Sequence, residues 1–246
     1  MDALFSLNRW FAYFEKNAAC EPDIPWEAHE LLTADDYQTI QHSIATFQRG
    51  EYSEGRQLMA FARHYAQSQG DNTLAKITQL FVKEEQLHAS LLKRFMEKHG
   101  IPCLKKEWTD VLFRTLRRHA GYEVSITVLI TAEIIALTYY DALQNCTESK
   151  VLQAICTRLL SDERAHVAYE SELINHMRSQ KSAFRQWGDR HLHRHLFLFT
   201  TLLVYVEHRL VLNRGGYTFL QFWKACWSDF SQHFDTFQSC DVALER

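Results

Sequence analysis

Two copies of one four-residue pattern, Glu85-Gln86-Leu87-His88 and Glu163-Arg164-Ala165-His166, constrain the fold of this chain more than any other feature. Residues three apart on an α-helix share a face, so each copy sets a carboxylate beside an imidazole and forms half of a metal site. Each copy has an acid one helix upstream: Glu54, with Glu51 beside it, before the first, and Glu133 before the second. Four carboxylates and two histidines on four helices are the ligand inventory of a dinuclear centre inside a four-helix bundle.

The rest of the chain is written for helices. Only 8 Gly and 3 Pro occur in 246 residues, too few turns for a many-stranded sheet. An all-α protein follows, and its size suits one domain over residues 1–246. Thr33 is a helix N-cap, and Ile40, Ile44, Phe47, Leu58, Phe61 and Tyr65 keep a helical rhythm, which predicts a first bundle helix over about 34–67. Ser68 to Asn72 is a turn, and a second helix runs to the stop signal Gly100-Ile101-Pro102. Residues 103–121 make a long crossover, partly helical around 108–118. The third and fourth helices follow, about 122–144 and from the turn at 145–149 to about 178. The core thus spans 34–178. The aromatic-rich residues 1–33 are expected to lay short helical pieces across it, and 179–246, punctuated by Gly188 and Gly215-Gly216, to add two covering helices.

Helix arithmetic puts the acids level with the motifs. Glu54 lies 16 residues before Gly70 and Glu85 lies 15 after it, so at ~1.5 Å per residue both sit roughly 23 Å from the turn. Glu133 lies 14 residues before Thr147 and Glu163 16 after it. Glu51 is 19 residues from its turn and is read as a neighbouring or shifting ligand. Glu133 is the only charge in Ser-Ile-Thr-Val-Leu-Ile-Thr-Ala-Glu-Ile-Ile-Ala-Leu-Thr-Tyr-Tyr, and a buried carboxylate without a partner costs several kcal/mol. Converging carboxylates would bind protons unless cations held them, and two divalent ions balance four of them. Mixed carboxylate and imidazole donors suit iron, manganese or a mixed pair; zinc more often recruits cysteine, and calcium avoids histidine. Glu84 and Asp162 each precede a motif glutamate. Each is placed to turn toward the neighbouring helix and accept the free ring N–H of the opposite histidine, Asp162 from His88 and Glu84 from His166.

On these residues the chain resembles the ferritin-like di-iron carboxylate superfamily over about 34–178. The resemblance implies Glu54, Glu85, His88, Glu133, Glu163 and His166 as metal ligands, with Glu85 and Glu163 bridging two iron ions. It also implies O2 as co-substrate. Members oxidise an organic substrate, a protein residue or further iron. Three functions stay open: an oxidase or oxygenase of a small organic molecule, whose pocket the aromatic covering segments would line; a ferroxidase or iron-handling protein; and a bundle whose metal is structural and whose surface is an interaction module. Roughly 100 residues outside the bundle obstruct the assembly of a storage cage and favour the first. The chain encodes no rubredoxin-like cysteine pairs, so repeated turnover calls for an external electron donor.

Other features carry plainer readings. A net charge of −3, with acids and bases mixed along the chain, excludes the basic stripe of a nucleic-acid binder. Six scattered cysteines and an N-terminus without a basic, apolar leader point to reduced thiols and the cytoplasm. The apolar runs 124–140 and 196–206 fall short of the roughly 20 residues of a membrane span. Tyr140 and Tyr169 lie near the motifs and could be oxidised there, but read first as core aromatics. Glu170, seven after Glu163, is a candidate extra ligand and more simply an arginine's partner. His191, His193 and His195 read as a solvated helix start, and Glu207 and His208 as surface residues. The oligomeric state stays open in the sequence, a homodimer among the assemblies it allows.

Overall fold

The computed structural model describes residues 6–52, 55–104 and 121–234, and among these there are eight helices and no strand. They are α1 (Leu7–Ala18), α2 (Ala34–Glu51), α3 (Gly55–Gln69), α4 (Thr73–Lys98), α5 (Tyr122–Asn145), α6 (Lys150–Ser179), α7 (Ala183–Arg214) and α8 (Phe219–Phe234).

Local chemistry sets several boundaries. Thr33 caps α2 in a reciprocal box with Asp36, each side chain taking the other's backbone N–H, and Ser149 caps α6 through the N–H of Leu152. Gly70 and Gly100 end α3 and α4 in left-handed conformations, at φ +71° and +69°. The expected single helix over 34–67 is described as two. α2 ends at Glu51 and α3 begins at Gly55, within a Gly50-Glu-Tyr-Ser-Glu-Gly55 run whose flanking glycines weaken any continuous helix. At the N-terminus α1 is one helix, and 19–33 follows without further helix. The crossover helix expected around 108–118 lies outside the described residues.

The core is a four-helix arrangement in which α2 and α3 pack on α4, α5 packs on α6, and α4·α6 and α3·α5 contacts close the bundle. Ile40 and Ile44 from α2, Ile77, Leu92 and Phe95 from α4, Ile130, Ile134 and Leu143 from α5, and Leu152, Ile155 and Leu159 from α6 are fully buried there. α1 lies on α4, α7 crosses α5 and α2, and α8 covers α5. Helix α5 therefore has neighbours on every side, which explains why its sequence is apolar all round with no polar face. Gly215, after α7, lets that turn lie against α5: a Cβ there would sit 2.2 Å from the carbonyl oxygen of Ala142.

The two apolar runs belong to longer helices, and α5 and α7 are both long and apolar enough to cross a membrane. The apolar window of α5 is 83% buried inside the fold, as befits a core helix, whereas that of α7 is 33% buried. Leu192, Phe199, Val206 and Leu210 stand exposed on the outer side of α7. That helix also runs through Gly188 without a break and bends at His208, where the backbone leaves helical values (φ −107°, ψ 15°).

Candidate metal centre

Five acidic side chains and two histidines meet in the middle of the bundle. Glu51 comes from the last residue of α2, Glu85 and His88 from α4, Glu133 from α5, and Glu163, His166 and Glu170 from α6. The donor atoms form two overlapping groups, Glu51/Glu85/His88/Glu163 and Glu85/Glu133/Glu163/His166, each with one donor atom per residue and all within 4.8 Å of one another. His88 Nδ1 lies 3.9 Å from Glu51, 3.6 Å from Glu85 and 3.4 Å from Glu163. His166 Nδ1 lies 3.2 Å from Glu85, 3.4 Å from Glu163 and 4.0 Å from Glu133. Ligand bonds of about 2.0–2.2 Å place the donors of one ion roughly 3 to 4.4 Å apart, so the spacing fits one ion in each group. Glu85 and Glu163 belong to both groups, which is the arrangement of two bridging carboxylates.

These atoms lack any other explanation. His88 Nδ1, His166 Nδ1, Glu85 Oε1, Glu163 Oε2 and both carboxylate oxygens of Glu133 are buried without a hydrogen-bond partner among the described residues. Buried polar atoms are rarely left so. Five titratable groups with orphaned atoms in one cluster is the chemistry of a cation site, and the donor set fits two divalent ions.

An outer ring fixes the imidazoles. His88 Nε2 lies 3.0 Å from Asp162 Oδ2 and His166 Nε2 lies 2.9 Å from Glu84 Oε2, the cross-helix pairing expected from the positions of these two acids. A carboxylate only accepts, so each histidine donates through Nε2 and turns Nδ1 toward the centre. The two acids are themselves bridged by one residue of α1, since Asn17 Nδ2 donates to Glu84 and to Asp162 at 3.0 Å each. Arg158 Nε adds a 2.7 Å bond to Asp162. The sequence holds a signal for Arg158, which stands four residues before Asp162 on one helix face. No local pattern marks Asn17, which arrives from 145 residues away.

Charge explains the protonation of the cluster. Burial, then Glu85 and Glu163, raises Glu51 well above the usual carboxylate range; burial, then Glu170 and Glu163, does the same to Glu133. Burial disfavours charge on the two histidines, yet hydrogen bonds and charge from the surrounding carboxylates raise both well above the ordinary imidazole value. Burial also opposes ionisation of Glu163, but His166 and His88 hold it down at about 2. Against the same burial, His88, Arg158 and Asn17 hold Asp162 at about 2. Carboxylates crowded this closely need protons or cations between them.

Several expectations change. Glu54 lies outside the described residues, and Glu51, read as a subsidiary ligand, occupies the upstream position of the first group. Glu51 accepts a hydrogen bond from the hydroxyl of Tyr140, so that core tyrosine does touch the site. Tyr169 is a packed aromatic between Trp10 and Phe14. Glu170 has no arginine partner among the described residues; it is buried close enough to Glu133 for its charge to help raise that carboxyl. His193 and His208 are buried, contrary to the solvated readings. The bend in α7 turns His208 inward, where Nδ1 meets Ser43 Oγ at 2.9 Å and the ring packs on Phe47 and Tyr139.

No known family model matches the sequence, and no curated protein matches it. Among solved structures, a point mutant of an R2-like ligand-binding oxidase with an aerobically reconstituted Mn/Fe cofactor superimposes with a TM-score of 0.61, covering 93% of each chain at 14% sequence identity. The fold is ferritin-like. In this ferritin-like chain the core is α2 to α6, the donors sit at its midpoint, and α1, α7 and α8 are additions that bring Asn17 and a set of aromatics to its flanks.

Proposed function

We propose that this chain is a dinuclear oxidoreductase that uses O2 to oxidise a small organic substrate, with iron or a manganese and iron pair as its metals. The observation that carries the reading is the pair of overlapping four-donor groups sharing Glu85 and Glu163, whose buried atoms have no other partner. The Mn/Fe cofactor in the structurally similar oxidase supports it. Glu51 and His88 would hold one ion, Glu133 and His166 the other, and Glu85 and Glu163 both. When bound, such a pair supplies electrons to O2 and the oxidising power for the substrate. The chain's own residues supply the geometry. Asp162 and Glu84 keep both Nδ1 lone pairs aimed inward, Asn17 ties the two acids together, and Tyr140 orients Glu51 while holding a proton beside it. Phe81 and Phe14 pack on His166 and keep water from its ring. An external reductant would be needed between turnovers.

The test is anaerobic loading with Fe(II), alone or with Mn(II), followed by metal analysis and rapid mixing with O2. Two ions per chain that stay bound while O2 is consumed are the expected result, with Glu133→Ala and His166→Ala losing both loading and O2 consumption. Stoichiometric iron retained by both variants overturns the assignment. Iron released or mineralised after O2 uptake overturns the oxidase reading in favour of iron handling.

A further inference from the structure

A second built site lies at the far end of α6, away from the carboxylates. Arg178, the nearest of its residues to the metal centre along the chain, comes 12 residues after His166, about 18 Å along the helix. The cavity has a volume of about 350 Å³ between the end of α6, the first turns of α7 and the end of α8. Arg178, Arg190, Arg194, His193, Gln186 and His191 contribute its polar lining and Trp187 and Phe230 much of its apolar wall, and among the described residues none that lines it is acidic.

Arg178 is buried and pinned, with Nε 3.4 Å from Glu123 and Nη2 3.3 Å from Thr127. Its guanidinium also approaches His193 Nδ1, at 3.4 Å from Nη1 and 3.5 Å from Nη2. A guanidinium only donates, so Nδ1 accepts, and the proton of the neutral ring resides on Nε2. Burial, then the charge of Arg178, keeps that ring neutral by lowering His193 well below the ordinary histidine value. His193 is 1% exposed, and Nε2 has no hydrogen-bond partner among the described residues. The fold therefore holds a buried N–H donor beside a cavity whose polar lining is mostly guanidinium groups. Leaving such a donor unpaired carries a desolvation penalty that an acceptor would return. The N-terminal turn of α7, at Ala183, lines the same space and adds the positive end of a 32-residue helix.

We propose that this cavity binds an organic anion, a carboxylate or phosphate monoester with a flat apolar body, whose acidic oxygens take the His193 Nε2–H and the arginine donors while the body lies among Trp187, Phe230 and Phe234. His193 already packs edge to face with Phe230 and Phe234, at 5.0 and 4.6 Å between centroids, so a narrow aromatic slot adjoins the donors.

Calorimetric titration of the full chain with phenyl phosphate and with 3-phenylpropionate tests this, the two probes separating phosphate from carboxylate recognition. Saturable one-to-one binding of at least one is expected, with at least tenfold weaker affinity in His193→Phe and no binding of neutral benzyl alcohol. Where His193→Phe does not fold, Arg190→Gln, on the exposed side of α7, should weaken binding at least fivefold. Glu133→Ala should bind the anion like the parent chain, so the outcome is independent of the metal centre. No saturable binding of either probe up to millimolar concentration, or full affinity retained in the folded variants, overturns the site.

Discussion

The two acids behind the histidines should act on different ions. Asp162 accepts from His88, Arg158 and Asn17, and His88 belongs to the Glu51/Glu85/Glu163 group. Glu84 accepts from His166 and Asn17, and His166 belongs to the Glu85/Glu133/Glu163 group. Asp162→Asn and Glu84→Gln keep the shape of each side chain but remove the charge that makes the facing imidazole a stronger donor and holds its tautomer. Loss of such a support weakens metal affinity by roughly 10- to 100-fold, or about 1.4–2.7 kcal/mol at 1.36 kcal/mol per tenfold. The effect should be site-selective. In an anaerobic titration with Fe(II) resolved into two binding steps, Asp162→Asn should weaken one step and Glu84→Gln the other. Asn17→Ala, which removes one bond from each acid, should weaken both by a smaller and similar factor. Weakening of the same step by both acid variants, or titrations superimposable on the parent, would refute the assignment of one support to each ion.

Further outcomes follow from the same geometry. Glu51→Ala should remove one of the two bound ions as judged by metal analysis, and an unchanged stoichiometry would return the upstream position to Glu54. Because burial and neighbouring groups raise Glu51, Glu133, His88 and His166, their protons must leave as ions enter; loading in weak buffer should acidify the solution, and affinity should rise with pH through the neutral range. Burial, then the charge of His42, lowers His208 to about 3 from its ordinary 6.5, so the unfolded chain takes up this proton first as pH falls. Stability from this group is whole above pH 6.5 and is lost progressively down to pH 3, by about 2 kcal/mol at pH 5 at 1.36 kcal/mol per unit. Urea unfolding of His208→Gln should show that much less acid sensitivity than the parent, and equal sensitivity would count against the buried neutral ring. Gly215→Ala should cost about 1–3 kcal/mol in thermal unfolding, because its methyl group meets the backbone of α5 at Ala142.

The helical class, three of the four expected core helices and five of the inward donors were legible because they rest on local rules. A shortage of Gly and Pro leaves few chain reversals, a three-residue spacing puts Glu85 with His88 and Glu163 with His166, and the isolation of Glu133 among apolar residues declares a buried charge. Even the crossed pairs, Asp162 to His88 and Glu84 to His166, follow from which way neighbouring positions on a helix point.

Tertiary structure decided what depends on where helices end and on what packs across them. Glu51 meets the cluster through the packing of α2 on α4, and no periodicity ranks it above an acid three residues on. Asn17 joins two acids only because α1 lies on α4. His193 and His208 sit in a sequence of polar appearance, yet contact with α6 and α8 buries one and a bend in α7 buries the other. Side-chain spacing within a helix is set by its own hydrogen bonds and can be counted from the sequence; the burial of a given face is set by helices far away in the chain, and only their packing reveals it.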